Sequence, residues 1–288
     1  MVFGRSGSGG SGGRVRGEAR RDAGAVGDAA QAVADSRQAD WAARAGLTAR
    51  GVVWIVIGIL ALLLAQGSHA SSADQKGALQ ELLTKPYGNV IVALMAVGFV
   101  GYALWRLSEA AFGVTGEGKG TGPRLKSLAR AVIYFVLAGT AVSALLGSNE
   151  SQSAQQESLT ARVMSHSGGR LLVGLVGLVI LGVGVALIVE GWKLRFMRYF
   201  RSVPPQIHRL VVNLGRVGTI GRGSVFSLVG VLVIIGAWTA DPQKARGLDG
   251  ALRTLLVQPY GTALAVVAAL ALIAFGVYGL AEARYRRV

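Results

Sequence analysis

The sequence predicts an all-α integral membrane protein. Its six transmembrane helices are expected as three parallel tandem hairpins, with pseudo-threefold symmetry about the membrane normal. Three observations carry this. Of 288 residues, 52% are hydrophobic and only 16% charged, yet the formal net charge is +15. Apolar and basic residues must therefore occupy separate zones, and a bilayer imposes that separation. Six apolar stretches have about the length a helix needs to cross a hydrocarbon core of about 30 Å. Finally, the same pattern of arginine, glycine and glutamate recurs three times.

Residues 1–40 open with Gly4-Arg5-Ser6-Gly7-Ser8-Gly9-Gly10 and continue as a mixed-charge, Ala-rich stretch. Such a tract has no apolar face to offset the entropy of ordering, so a disordered Gly/Arg-rich cytoplasmic tail is expected. No secretory signal peptide is expected, since this polar segment precedes the first apolar stretch.

The apolar spans cover residues 45–66, 89–111, 128–147, 170–190, 222–240 and 262–282. Lipid satisfies no backbone hydrogen bonds, and the period-2 alternation of a membrane barrel is absent, so helices are predicted. Repeat 1 is placed at 41–113, repeat 2 at 124–198 and repeat 3 at 214–286. The tail and first-helix approach (5–50), the connections 106–130 and 193–222, and the C-terminal residues hold 23 of the 30 Lys and Arg. By the positive-inside rule both termini are expected on the cytoplasmic side of a bacterial inner (plasma) membrane. The basic belt is read as topology and contact with anionic lipid, and nucleic acid is not expected as a partner because no stacking aromatics accompany the arginines.

The repeat is defined by its spacing. Arg44 and Arg50, Arg124 and Arg130, and Arg216 and Arg222 are each six residues apart at the head of a hairpin. Gly88, Gly169 and Gly261 open the returning helices, and 21 residues later stand Glu109, Glu190 and Glu282. Copies one and three share Gly77-Ala78-Leu79 with Leu82-Leu83 and Gly250-Ala251-Leu252 with Leu255-Leu256, leading to Pro86-Tyr87-Gly88 and Pro259-Tyr260-Gly261. These two loops are read either as short interfacial amphipathic helices or as ordinary loops capping the bundle. Copy two departs there, reading Gln155-Gln156-Glu157-Ser158-Leu159 and ending in Gly168-Gly169.

Twenty-one helical residues rise about 31 Å, so the three glutamates and the arginine pairs share one membrane interface. A six-residue step turns a helix by about 240° net. One arginine of each pair is then expected to meet lipid phosphate and the other to face a glutamate. The interfacial salt-bridge candidates are Arg50, Arg130 and Arg222 with Glu109, Glu190 and Glu282. Gly98, Gly101, Gly174, Gly177, Gly182 and Gly184 crowd the returning helices and are read as helix-packing positions, with these helices near the bundle axis.

Catalytic chemistry finds little support. There is no cysteine, and His69, His166 and His208 are scattered without ligand spacing. No HExxH, nucleophile elbow, Walker loop or dinucleotide fingerprint is present. No enzyme activity, cofactor or metal is expected. Two functional readings stand: a membrane scaffold or accessory protein that binds lipid, a protein partner or a second copy, and a small channel or transporter along the pseudo-threefold axis. The second needs polar midplane residues, and the spans offer chiefly Thr140, Ser143 and Ser227.

The hairpin resembles the bacterial membrane family known as domain of unknown function 1206. The resemblance rests on Ala43 to Trp54 (ARAGLTARGVVW), Asp74 to Leu79 (DQKGAL), Pro86-Tyr87-Gly88 and Gly101 to Arg106 (GYALWR), and again on Gly250 to Leu255 and Gln258 to Gly261. It covers about residues 41–286. It implies a bacterial integral membrane protein and brings no activity or functional residues with it.

Overall fold

The computed structural model describes residues 37–67, 72–112, 121–147, 151–200 and 203–285. Most of the N-terminal tail lies outside the described residues, as does His69. Nine α-helices run through the described residues: α1 (Arg37–Ala65), α2 (Gln75–Leu83), α3 (Gly88–Phe112), α4 (Thr121–Leu145), α5 (Gln152–Met164), α6 (Gly169–Trp192), α7 (Pro205–Thr239), α8 (Gly247–Leu256) and α9 (Gly261–Tyr285). Short 3₁₀ turns occupy Arg195–Tyr199 and Pro242–Ala245. Six helices are long and apolar enough to cross a membrane: α1, α3, α4, α6, α7 and α9. Each hairpin thus has a leading helix (α1, α4, α7) and a trailing helix (α3, α6, α9).

The leading helices start earlier than the apolar pattern alone suggests. Helix α7 begins at Pro205 rather than near residue 222 and runs for 35 residues. Proline suits a first turn, where its missing N–H is one the helix leaves unbonded anyway. At about 1.5 Å per residue, α7 is about 52 Å long and extends well beyond a hydrocarbon layer.

All three connecting loops contain a short helix. Asp74 caps α2, its carboxylate accepting from the Gly77 N–H at 2.9 Å. Ser151 caps α5 through the Ala154 N–H at 3.1 Å. The loop of copy two, unlike its partners in sequence, therefore still forms a helix. It also keeps the same exit. Tyr87, Gly168 and Tyr260 have φ of 61°, 80° and 59°. The glycine after each lies against the end of its short helix, where a Cβ would strike the carbonyl oxygen of Leu82, Val163 or Leu255. This left-handed turn reverses the chain into the trailing helix, and only a residue without a side chain fits next to it.

The short helices are joined across copies into a cap. The Ala73 N–H donates to Asp249 Oδ1 at 2.9 Å, Ser153 Oγ donates to Asp74 Oδ2 at 3.3 Å, and Arg246 Nε donates to Glu157 Oε2 at 2.8 Å. Burial holds the Asp74 carboxyl above the usual carboxylate range. The nearby Asp249 adds to this, against hydrogen bonds from Gly77 and Ser153.

The spanning helices pack in a definite order. Trailing α3 packs on leading α4, trailing α6 on leading α7, and trailing α9 on leading α1. Within hairpins, α1 packs on α3 and α7 on α9. Helices α4 and α6, the two arms of the middle hairpin, do not pack along their lengths. They are also the least buried of the six spans. The core lies among α1, α3, α7 and α9, around Leu47, Ile57, Leu60, Phe99, Tyr102, Leu272 and Phe275. Leu94, Val97, Val179 and Val267 face outward, as lipid-facing residues must.

Small residues set the close approaches, but not around an axis of trailing helices. Those helices do not pack on one another. Their glycines meet leading helices instead. Gly98 lies against Ala45 of α1, and a Cβ on Gly177 would come within 2.8 Å of Ile234 in α7. Gly184 lies equally tightly against Ser227. A Cβ on Gly174 would meet that of Ala237 at an ordinary 3.7 Å, and Gly101 is half-buried. Gly182 is exposed with nothing near it, so it serves no contact within this chain. The reason is geometric: an antiparallel pair buries most surface between neighbours around the bundle, so small residues collect on that seam.

Candidate functional site

At the end bearing the chain termini, each leading helix meets the C-terminus of the trailing helix of the copy before it. The last four carbonyls of that helix have no intrahelical donors. Arg44 supplies them for α9, donating to the carbonyls of Ala283 at 3.3 Å and Arg284 at 2.8 Å. Arg124 does so for α3, donating to Ala110 and Ala111 at 2.7 and 2.6 Å. Arg216 stands over the ring of Trp192, the last residue of α6, at 5.1 Å. The first arginine of each pair thus meets a helix terminus, where its charge also complements the helix dipole. Arg170 makes the same contact at the cap end, donating to the carbonyls of Ala237 and Trp238.

The second arginines point inward, and here the copies differ. Arg50 pairs with Glu282 at 2.5 Å across the α1–α9 seam. Glu109 pairs with Arg106, three residues earlier on its own helix, at 2.6 Å. It also accepts from Ser127 Oγ at 3.1 Å. Arg106 is fully enclosed, donating to the Tyr102 hydroxyl at 3.0 and 2.7 Å and lying 4.4 Å above Trp105. Arg130 and Arg222 have no carboxylate within salt-bridge distance among the described residues. Glu190 is half-buried and pairs with neither. Arg106 has no counterpart in copies two and three, where Leu187 and Gly279 stand. The i, i+3 spacing of Arg106 and Glu109 was the signal for that pair.

Arg222 is held by rings. Its guanidinium lies 4.9 Å from the Trp54 ring, 5.0 Å from Phe226 and 4.7 Å from Phe275. Its Nε is buried without a hydrogen-bond partner among the described residues, as are Arg50 Nε and the Thr219 hydroxyl, while the Tyr134 hydroxyl lies beside Arg50.

These groups line one cavity of about 480 Å³ to which all six spanning helices contribute. Its polar wall includes Arg50, Arg130, Glu190, Arg222 and Glu282, and its apolar wall includes Ile133, Leu137, Val183 and Leu187 from α4 and α6. It therefore reaches the seam that those two helices leave unpacked. The expected midplane hydroxyls do not line it. Those of Thr140 and Ser227 are bonded back to Val136 and Gly223 of their own helices. Among the described residues no cluster of metal-ligating side chains occurs.

The three equivalent helix junctions follow the chain in register with a family model that matches residues 45–113, 125–193 and 217–286. The chain belongs to the Domain of Unknown Function (DUF1206) family. Over 250 residues it is 32% identical to the uncharacterized protein YxxB of Bacillus subtilis (strain 168), covering 85% of this chain and 90% of that protein. No solved structure matches. The matched DUF1206 segments contain the hairpins and the short helices, and each begins one residue after its capping arginine, Arg44, Arg124 or Arg216. The cavity arises where the three copies diverge.

The Arg50–Glu282 pair is enclosed, with 19% and 6% of the two side chains exposed. Glu282→Gln leaves Arg50 without its counter-charge, and a loss of about 3–5 kcal/mol is expected. The double variant Arg50→Leu/Glu282→Leu should recover most of it. Unfolding of the purified protein in bicelles checks both. A loss in the double variant equal to the sum of the losses in Glu282→Gln and Arg50→Leu would show that the pair contributes as two independent contacts.

Proposed function

We propose that this is a multi-pass plasma-membrane accessory protein that holds lipid in the gap of its middle hairpin and does not conduct. The observation that carries this reading is the lateral opening: the cavity runs to the unpacked α4–α6 seam. A transport path needs polar groups from one face of the membrane to the other. Here the cap of short helices covers one end, and ion-paired and aromatic side chains fill much of the other. A side opening walled by Ile133, Leu137, Val183 and Leu187 suits acyl chains, which the surrounding bilayer supplies at high concentration.

In this reading the three hairpins are parallel copies about a pseudo-threefold axis. The recurring contact of each trailing helix with the next leading helix supports it. Both termini face the cytoplasm, on the strength of the basic residues gathered at that end. An alkaline phosphatase fused to the C-terminus should then be inactive in Escherichia coli, and an active fusion would reverse the orientation.

Reconstitution tests the activity. Vesicles containing the protein should release entrapped ions and small solutes no faster than protein-free vesicles, while the detergent-purified protein carries lipid through gel filtration. Protein-dependent flux, or a protein that emerges free of lipid, would overturn the proposal.

A further inference from the structure

We infer that Arg222, with Arg130, forms a binding site for the phosphate of an acidic phospholipid whose chains leave through the α4–α6 seam. This rests on the lipid-holding reading and adds the headgroup chemistry and the residues that select it.

Among the described residues Arg222 makes no salt bridge. The faces of Trp54, Phe226 and Phe275 fix its plane, yet a ring face offers nothing to N–H groups at the guanidinium edge. Its Nε has no acceptor, although the atom is fully buried. Buried polar groups are ordinarily satisfied, so such an atom in a cavity marks a place where an acceptor belongs. The described residues do not provide it. Glu282 is engaged by Arg50. Glu190, on the neighbouring helix α6, bonds to neither Arg130 nor Arg222. Three arginines and two glutamates line the cavity, which leaves one positive charge uncompensated.

The remaining donors fit a phosphate. The Thr219 hydroxyl, one turn before Arg222 on α7, is buried without a partner among the described residues, and the Tyr134 hydroxyl, beside Arg50, lines the same cavity from α4. A guanidinium fork with two hydroxyls matches the several acceptor oxygens of a phosphodiester. The stacked rings prevent Arg222 from turning away to another acceptor.

Position selects a lipid over a free anion. Arg222 lies 17 residues before the end of α7 at Thr239, about 26 Å from the cap end along the helix. In a hydrocarbon layer of about 30 Å this is close to the headgroup level of the leaflet at the terminal end. A headgroup can enter there from its own leaflet without crossing the bilayer. The apolar wall of Ile133, Leu137, Val183 and Leu187 leads from that level along the open seam, and an inorganic anion would leave it unfilled. The cavity takes a headgroup and the first methylenes, and the chains continue into the surrounding lipid.

The full-length protein is incubated with mixed vesicles of phosphatidylglycerol and phosphatidylethanolamine, extracted in mild detergent, and its retained lipid measured by mass spectrometry. The wild type should retain phosphatidylglycerol over phosphatidylethanolamine by about tenfold relative to the vesicles. Arg222→Gln should bring that ratio close to one while total retained lipid persists, and Arg222→Lys should keep part of the preference. Ile133→Trp, on the seam one turn beyond Arg130, should lower retention of both lipids. If Arg222→Gln does not elute as folded protein, Arg130→Gln and Ile133→Trp carry the test. Excess inorganic phosphate should leave the retained lipid in place. Wild-type protein that holds both lipids equally would overturn the headgroup assignment and leave the lipid-holding reading intact. Wild-type protein that holds none would overturn both. Displacement of lipid by inorganic phosphate would assign the site to the free anion.

Discussion

A helix that ends near a membrane interface leaves four carbonyls without donors, and the hydrocarbon beside them supplies none. In this protein the leading helix of the next copy closes that end. Arg44 bonds the end of α9 and Arg124 the end of α3, while Arg216 stacks on the last residue of α6. Each contact requires the trailing helix of one copy to lie beside the leading helix of the next. The order of the helices around the bundle follows from that requirement. The small residues on the seams then let the backbones approach closely enough for the arginines to reach.

The repeat junctions hold the bundle together, so contacts within a hairpin are free to vary. Two hairpins close on themselves and the middle one does not. The same freedom appears in the second arginines. Arg50 found Glu282 across its seam, but Arg106 took Glu109 out of the equivalent position, and Arg130 was left facing the cavity. Arg222 exchanged a carboxylate for three aromatic faces.

Much of the architecture was legible in the sequence, because apolar length and arginine–glycine–glutamate spacing are direct consequences of crossing a bilayer and turning back. The family and its three segments followed from the same residues. The helix in the loop of copy two was not legible: Gln155, Gln156 and Glu157 give no apolar face, and its turn depends on Gly168 where the others use tyrosine. Glycine spacing does not place the trailing helices, because it says that a close contact exists and not with which helix. The partner of Glu109 was visible as Arg106 at i, i+3, but the repeat drew attention to arginines at equivalent positions instead. The open seam has no local signature, since it is the lack of a contact between two helices that are each ordinary.

Cross-linking in native membranes addresses that seam directly, and a chain without cysteine makes it clean. Ile133 and Val183 line the cavity from α4 and α6 at similar depth, about 18 and 21 Å along their helices from the cap end. Gly174 and Ala237 face each other across the packed α6–α7 seam at a Cβ separation of 3.7 Å, within the disulfide range of about 3.5–4.5 Å. Under mild oxidation the Gly174→Cys/Ala237→Cys pair should form a disulfide, and the Ile133→Cys/Val183→Cys pair should not. Efficient cross-linking of 133 to 183 would mean that the middle hairpin is closed, and the account of a laterally open cavity would be wrong.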